Sequence, residues 1–254
     1  MTDGITAIER PSPNRGERKT AIDMLLFHYT GMESAQAALE RLCDPATAVS
    51  AHYLIEEDGT LHRLVDDAQR AWHAGVGSWA GDTDVNSRAI GIELQNPGHE
   101  FGYRDFPAAQ IAVLERLSRY LITKHSIPAR HVLGHSDVAP GRKQDPGERF
   151  PWQRLAQAGI GRWPRARKPD GGPTIAPGKT HELVAAVQEA LGVYGYGLTV
   201  ISGTLDPATE TVLTAFQRHF VPECFATGAE PIGHLGPLTR ARLAGLVDAT
   251  APEA

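Results

Sequence analysis

The chain has 254 residues, enough for one sizeable core and a small second unit. Hydrophobic residues at 41% and charged residues at 22% describe an ordinary globular protein, neither disordered nor fibrous. A formal net charge of −5 offers no electrostatic hold to nucleic acid or to an anionic membrane surface.

The opening segment is polar, carries Pro11 and Pro13, and is expected to lie extended over the surface. It has no apolar core of a secretion signal, and no later stretch reaches the ~18 apolar residues of a membrane span. As written, the sequence suggests a cytoplasmic protein, or a periplasmic one if a leader has been removed. Residues 24–28, Met-Leu-Leu-Phe-His, form a short apolar run before Tyr29-Thr30-Gly31, which reads as a buried strand and a turn. Ser34 is placed to cap a helix through about Leu42, with Ala38, Leu39 and Leu42 on one face and Pro45 ending it. Residues 52–55 and 60–65 flank Asp58-Gly59, a strong hairpin signal. Residues 89–94, Ala-Ile-Gly-Ile-Glu-Leu, predict another strand, with Gly91 permitting close approach of neighbouring backbone. From Pro107 to about His125, Ile111, Leu114, Leu117 and Leu121 recur at helical spacing. Residues 131–135 read as a last strand and 152–158 as a short helix. Strands mixed with helices predict an α/β fold over residues 1–160: a mixed central β-sheet flanked by helices.

Residues 161–180 are rich in Pro, Gly and basic side chains and read as a linker stiffened by its prolines. Beyond it, residues 181–254 predict a small three-helix C-terminal domain. Its first helix runs over residues 181–191. Asp206-Pro207 starts the second, with Val212, Ala215, Phe216 and Phe220 as its apolar stripe; Gly236-Pro237 starts the third, with Leu238 and Leu243 inward. Cys43 and Cys224 fall in different domains and lack metal-knuckle spacing, so no disulfide framework is expected.

Chemistry concentrates around His28, which closes one apolar run, and His135, which closes another. A Pro/Gly-punctuated loop after His135 carries Asp137, Lys143 and Asp145. A lone histidine at a strand end is usually a structural hydrogen-bonder. Two of them with Asp145, however, supply the three protein ligands of a catalytic zinc, which keeps its fourth position for water. Glu93 lies on the opposite side of its strand from Ile90, Ile92 and Leu94. There it is either a solvated glutamate or, if that side holds the metal, the base for water. Lys143 is either a solvated charge or a stabiliser of an oxyanion.

Five motifs resemble, in order and spacing, the zinc N-acetylmuramoyl-L-alanine amidases. They are residues 24–31, Ser50-Ala51-His52-Tyr53, Ala71-Trp72-His73-Ala74-Gly75, residues 89–94, and residues 134–147. That family also includes phage-lysozyme amidases and the animal peptidoglycan recognition proteins. The resemblance implies Zn2+ held by His28, His135 and Asp145, with Glu93 as acid/base and Lys143 as oxyanion stabiliser. It implies that Trp72 and His73 line a groove for muramyl sugar and stem peptide, with Tyr29, Thr30 and His52 close to the site; core packing is the alternative for Trp72. The reaction implied is hydrolysis of the amide joining the lactyl group of N-acetylmuramic acid to L-alanine, in peptidoglycan or in soluble anhydro-muropeptides. Some relatives in this superfamily only bind peptidoglycan, which is the alternative reading, but here every ligand position and the acid/base position is filled by a competent residue. No His-Glu-x-x-His helix is present to suggest another zinc hydrolase. Residues 187–191, Gly195-Tyr196-Gly197, residues 203–206 and residues 215–220 resemble the three-helix peptidoglycan-binding domain. On this reading a chain ending near Gly161 is expected to fold and cleave small muropeptides by itself.

Overall fold

The apolar run beginning at Met24 becomes an interior strand of a mixed sheet. The computed structural model describes residues 4, 6–198 and 200–248. Among these, the strands in chain order are β1 (Ile8–Glu9), β2 (Arg15–Glu17), β3 (Met24–Tyr29), β4 (Tyr53–Ile55), β5 (Leu61–Arg63), β6 (Gln69–Ala71), β7 (Ala89–Leu94) and β8 (Val132–Gly134). Six of them form one sheet in the order β1-β5-β4-β7-β3-β8, and β2 pairs with β6 alone. The β4–β5 hairpin is antiparallel around Asp58-Gly59, whereas β3, β4, β7 and β8 run parallel. Parallel strands need both faces covered, which is why residues 24–27 read as continuously apolar and are wholly buried.

The period of two divides the sheet into two unlike faces. Leu25, Phe27, Ile90 and Ile92 point to one side, where they pack with Ile111, Leu114, Leu117 and Leu121 of the helix Ala108–His125. Met24, Leu26, Ala89 and Leu133 point to the other. Their register partners put His28 beside Glu93 at the far end of that second face. Leu54 on β4 carries the same face onward and is covered by Ala38, Leu39 and Leu42 of the helix Ala35–Cys43, capped by Ser34 as its sequence predicts. The functional end of β3 and β7 therefore opens between two helical covers.

The N-terminal segment is more tied down than its polarity suggests. β1 extends the sheet parallel to β5, and β2 pairs antiparallel with β6. Ser12 and Asn14 are buried, with Asn14 Nδ2 donating to the carbonyls of Asp44 and Val49. An extended backbone satisfies its polar groups most readily along a free strand edge.

The C-terminal helices form where the sequence puts them, over Glu182–Tyr194, Pro207–Phe220 and Pro237–Asp248. The first runs three residues further than expected, with His181 capping it through an Nδ1 that accepts from Leu183 N–H. Asp206 caps the second as predicted. Val184, Leu191, Leu213, Phe216 and Phe220 do not close a core of their own: they join Met24, Leu26, Trp79 and Leu133 in one cluster. The Pro/Gly-rich segment is also anchored, by Arg165 N–H to the Gly245 carbonyl and by Asp170 paired with Arg240. The two cysteines are free.

This shared core alters the expectation for a chain ending near Gly161. Removing the helices uncovers Trp79, which packs edge-on against Tyr194 and Tyr196, and opens the cluster that holds Met24, Leu26 and Leu133; each large apolar side chain left in water forfeits about 1.5–3 kcal/mol. We predict that residues 1–161 alone unfold without a cooperative transition or aggregate, as read by circular dichroism melts. A sharp melt within about 5 °C of the full chain would show that the first part stands alone.

Candidate active site and metal centre

His28, His135 and Asp145 reach one point from three directions. His28 projects from β3, His135 begins a helical turn over His135–Val138 directly after β8, and Asp145 comes from the loop beyond. Residue 135 was expected to close the strand; the strand ends at Gly134, and the turn of backbone swings the imidazole across the sheet end. Nδ1 of His28, Nδ1 of His135 and Oδ2 of Asp145 form a triangle with every edge 3.0 Å. All three residues are buried.

The partners of the outer ring atoms bear on which nitrogens are free. His135 Nε2 lies 2.9 Å from the Ala74 carbonyl and must donate to it, which leaves its Nδ1 a lone pair. His28 Nε2 lies 3.1 Å from His73 Nδ1, and in the tautomer in which it donates to His73 the inner Nδ1 of His28 is free as well. Two lone pairs and a carboxylate oxygen then face one another, an arrangement that a cation relieves. Tetrahedral zinc ligands at ~2.0–2.2 Å from the ion stand about 3.3–3.5 Å apart, close to the spacing found. Imidazole with carboxylate is also a donor set suited to zinc.

Burial, and then the adjacent His135, lower the His28 pKa to about 4, which keeps the imidazole neutral and able to ligate. Burial works against ionisation of Asp145, but when a proton or a cation sits between it and His135 and His28 the attraction outweighs burial and holds the carboxyl well below the usual carboxylate range. Glu93 has no such partners. Its Oε2 is buried without a hydrogen bond, and burial, reinforced by the Asp145 charge and opposed by Lys143, pushes its pKa well above the ordinary value.

These groups form the floor and one wall of a cleft of about 620 Å³. Tyr29, Thr30, Trp72, His73, Glu93 and Lys143 all line it. Trp72 is half-buried at this wall, whereas Trp79 and Trp152 are sealed in the core. His52 does not reach the cleft. It is fully buried behind His73, accepting at Nδ1 from Gly91 N–H, with Nε2 against the Gln69 carbonyl and Arg18. His52 therefore makes no substrate contact; the bend just before β4 turns it under the site.

Residues 18–148 match the family described as N-acetylmuramoyl-L-alanine amidase. The chain belongs to this family. It is 36% identical over 219 residues to AmiD of Escherichia coli, spanning 80% of this chain and 76% of that one. Over 165 residues it is 39% identical to the AmpD amidase of Haemophilus influenzae, spanning 58% of this chain and 88% of the relative. Among solved structures it is similar to Escherichia coli AmiD in complex with an anhydro-N-acetylmuramic acid peptide, with a TM-score of 0.75, 32% identity, and 94% of both chains covered. Pseudomonas aeruginosa AmpDh3 with an anhydromuramic pentapeptide gives a TM-score of 0.75 at 32% identity, covering 94% of this chain and 95% of that one.

The amidase site depends on groups that carry no individual sequence signal. The Ala74 carbonyl, which orients His135, also accepts from Arg142 Nη2 at 2.6 Å, and such a backbone role is invisible in a side-chain pattern. Gly91 is legible as a close approach, but its neighbour is a side chain and not backbone. A Cβ there would lie 2.5 Å from Cγ of His73, so only glycine lets that ring lie flat over β7 beside His28. Arg41, Glu100 and Phe101 complete the cleft walls and were not singled out by any motif.

The buried histidines make the metal-free amidase acid-labile. His28 is lowered to about 4 and His52 to about 3, both chiefly by burial, while an unfolded chain titrates near 6.5. Between these values the unfolded state binds more protons, so stability is complete above pH 6.5 and is lost as the pH falls towards 4, by up to ~1.4 kcal/mol per pH unit for each group. Asp145 adds a further loss only below its unfolded value. Urea midpoints of metal-free protein at pH 7.5 and 4.5 check this; equal midpoints would contradict the neutral, buried assignment.

Proposed function

We propose that this amidase is zinc-dependent and that it hydrolyses the amide between the lactyl group of N-acetylmuramic acid and L-alanine in muropeptides released during cell-wall recycling. The observation that carries the proposal is the triangle of three inward-facing acceptors, His28, His135 and Asp145, beside a glutamate whose buried oxygen has no partner. The muropeptide substrate is supported by the similarity to AmiD and AmpDh3, each solved with an anhydromuramic peptide. A cleft of about 620 Å³ accommodates a sugar and the first stem residues. The helices from Glu182 onward belong, on the same reading, to a wall-binding module, which co-sedimentation of the full chain with sacculi tests.

The bond is an unactivated amide. Bound zinc supplies a Lewis acid for its carbonyl and lowers the pKa of water towards ~7. The chain's own residues supply the rest. Glu93 sits at the His28 register position on β7, with a pKa pushed up from the ordinary range, and so takes the proton of the attacking water and can release it to the departing amine. Water adds to the lactyl carbonyl carbon, the C–N bond breaks, and a lactyl carboxylate and the α-amino group of L-alanine result. Lys143 lines the same cleft and offers its ammonium to the oxygen on which charge develops. Tyr29, Thr30 and Trp72 line the same cleft, which on this reading receives sugar and peptide.

Chelation is expected to abolish cleavage and zinc to restore it; full activity in metal-free protein would refute the metal's role. Glu93→Gln is expected to keep about one zinc per chain while kcat falls ~10²-fold or more. Loss of zinc in that variant would make Glu93 a ligand instead. Lys143→Ala is expected to lower kcat more than it changes KM, since it acts on charge present only in the transition state.

A further inference from the structure

Asp137 plays no part in the chemistry above, yet its side chain is wholly buried two residues beyond His135. Its Oδ2 accepts from Gly134 N–H at 2.8 Å, which fixes the backbone immediately before the ligand. Its other side-chain donors come from the far end of the chain. Tyr196 Oη donates to Oδ1 at 2.6 Å, and His219 Nδ1 donates to Oδ2 at 2.7 Å. Tyr196 stays a phenol, because burial and the Asp137 charge both push its pKa well up. His219 is itself immobilised, stacked between Trp152 at 3.6 Å and Phe220 at 3.7 Å.

Two more contacts bind the same loop to the same helix. At Gly141 a Cβ would come within 2.7 Å of Cγ2 of Thr211, so the helix Pro207–Phe220 lies directly on the loop just before Arg142 and Lys143. Arg218 faces Glu148 at 3.4 Å and Gln144 at 3.5 Å, on either side of Asp145. The helices thus touch the segment carrying His135, Lys143 and Asp145 at its start, middle and end.

We propose that the C-terminal helices are a positioning element of the active site, holding the ligand loop through Tyr196 and His219 on Asp137. Both are positioning residues, since neither reaches the cleft. The proposal rests on the reading of His28, His135 and Asp145 as metal ligands. A buried carboxylate stripped of these donors keeps only the Gly134 N–H, and a charge so exposed to the apolar interior pulls its loop out of place. Groups bonded directly to a metal ligand are typically worth ten- to a hundred-fold in affinity or activity; Tyr196 and His219 act through Asp137, so the lower end of that range is expected.

The test uses full-length protein carrying Tyr196→Phe, His219→Ala or His219→Asn, the last restoring an N–H near the Nδ1 position. Three quantities are read: the zinc dissociation constant by chelator competition, the visible spectrum of the cobalt-substituted protein, and kcat separately from KM. Tyr196→Phe and His219→Ala are expected to weaken zinc about tenfold, shift the cobalt bands, and lower kcat with KM within about twofold; His219→Asn is expected to recover most of each. Wild-type zinc affinity and cobalt spectrum in both disrupting variants would overturn the proposal, even if their melting temperatures fall, because that pattern is a structural role alone. Wild-type protein that binds neither zinc nor cobalt would instead overturn the metal reading, and this inference with it.

Discussion

Three acceptor atoms 3.0 Å apart in a buried place repel one another, and the rest of the site is arranged to hold them there. Each imidazole is oriented by the partner of its outer nitrogen: His135 donates to the Ala74 carbonyl, and His28 pairs with His73. His73 in turn fits only because β7 has no side chain at Gly91. The electrostatic tension at the centre is thus transmitted to a backbone carbonyl, a ring and an absent Cβ. A cation resolves it, which gives the apoprotein a reason to be the less stable form.

The sheet supplies the geometry. Because side chains alternate, one face of β3 and β7 holds the apolar packing for the helix Ala108–His125, and the other turns from core at Met24 and Leu26 to chemistry at His28. The transition takes place along a single strand, within two residues. Covering helices on both sides of the opening leave Glu93 in a place dry enough to raise its affinity for a proton, yet open towards substrate.

Much of this was legible in the sequence because the determinants are local. The strands around Met24 and Ala89, the Ser34 cap, the Asp58-Gly59 hairpin and the Asp206-Pro207 helix start each carry their signal within a few residues. The grouping of His28, His135 and Asp145 was legible because metal chemistry accepts few residue types, and the motif order supplied the rest. What stayed hidden was long-range. His52 shares a motif with cleft residues but faces the interior, since a period of two decides sides and the sequence does not say which side is wet. The N-terminal strands are polar, and only the presence of free sheet edges explains their order. The linker's composition pointed to separation, whereas the apolar faces on either side of it are complementary.

That complementarity bears on how such a protein can be rearranged by recombination. Composition marks a clean seam near residue 161, where a chimera would ordinarily be spliced. The mechanical seam lies elsewhere, where the Trp79 ring meets Tyr194 and Tyr196 and where the helix bearing Leu213 and Phe216 joins Met24, Leu26 and Leu133 in one apolar cluster. A foreign module joined at the linker would therefore have to reproduce that apolar surface and present hydroxyl and imidazole donors to Asp137. The exchangeable unit is the helical module together with the sheet surface it seals, so the two halves of the gene are constrained to drift together.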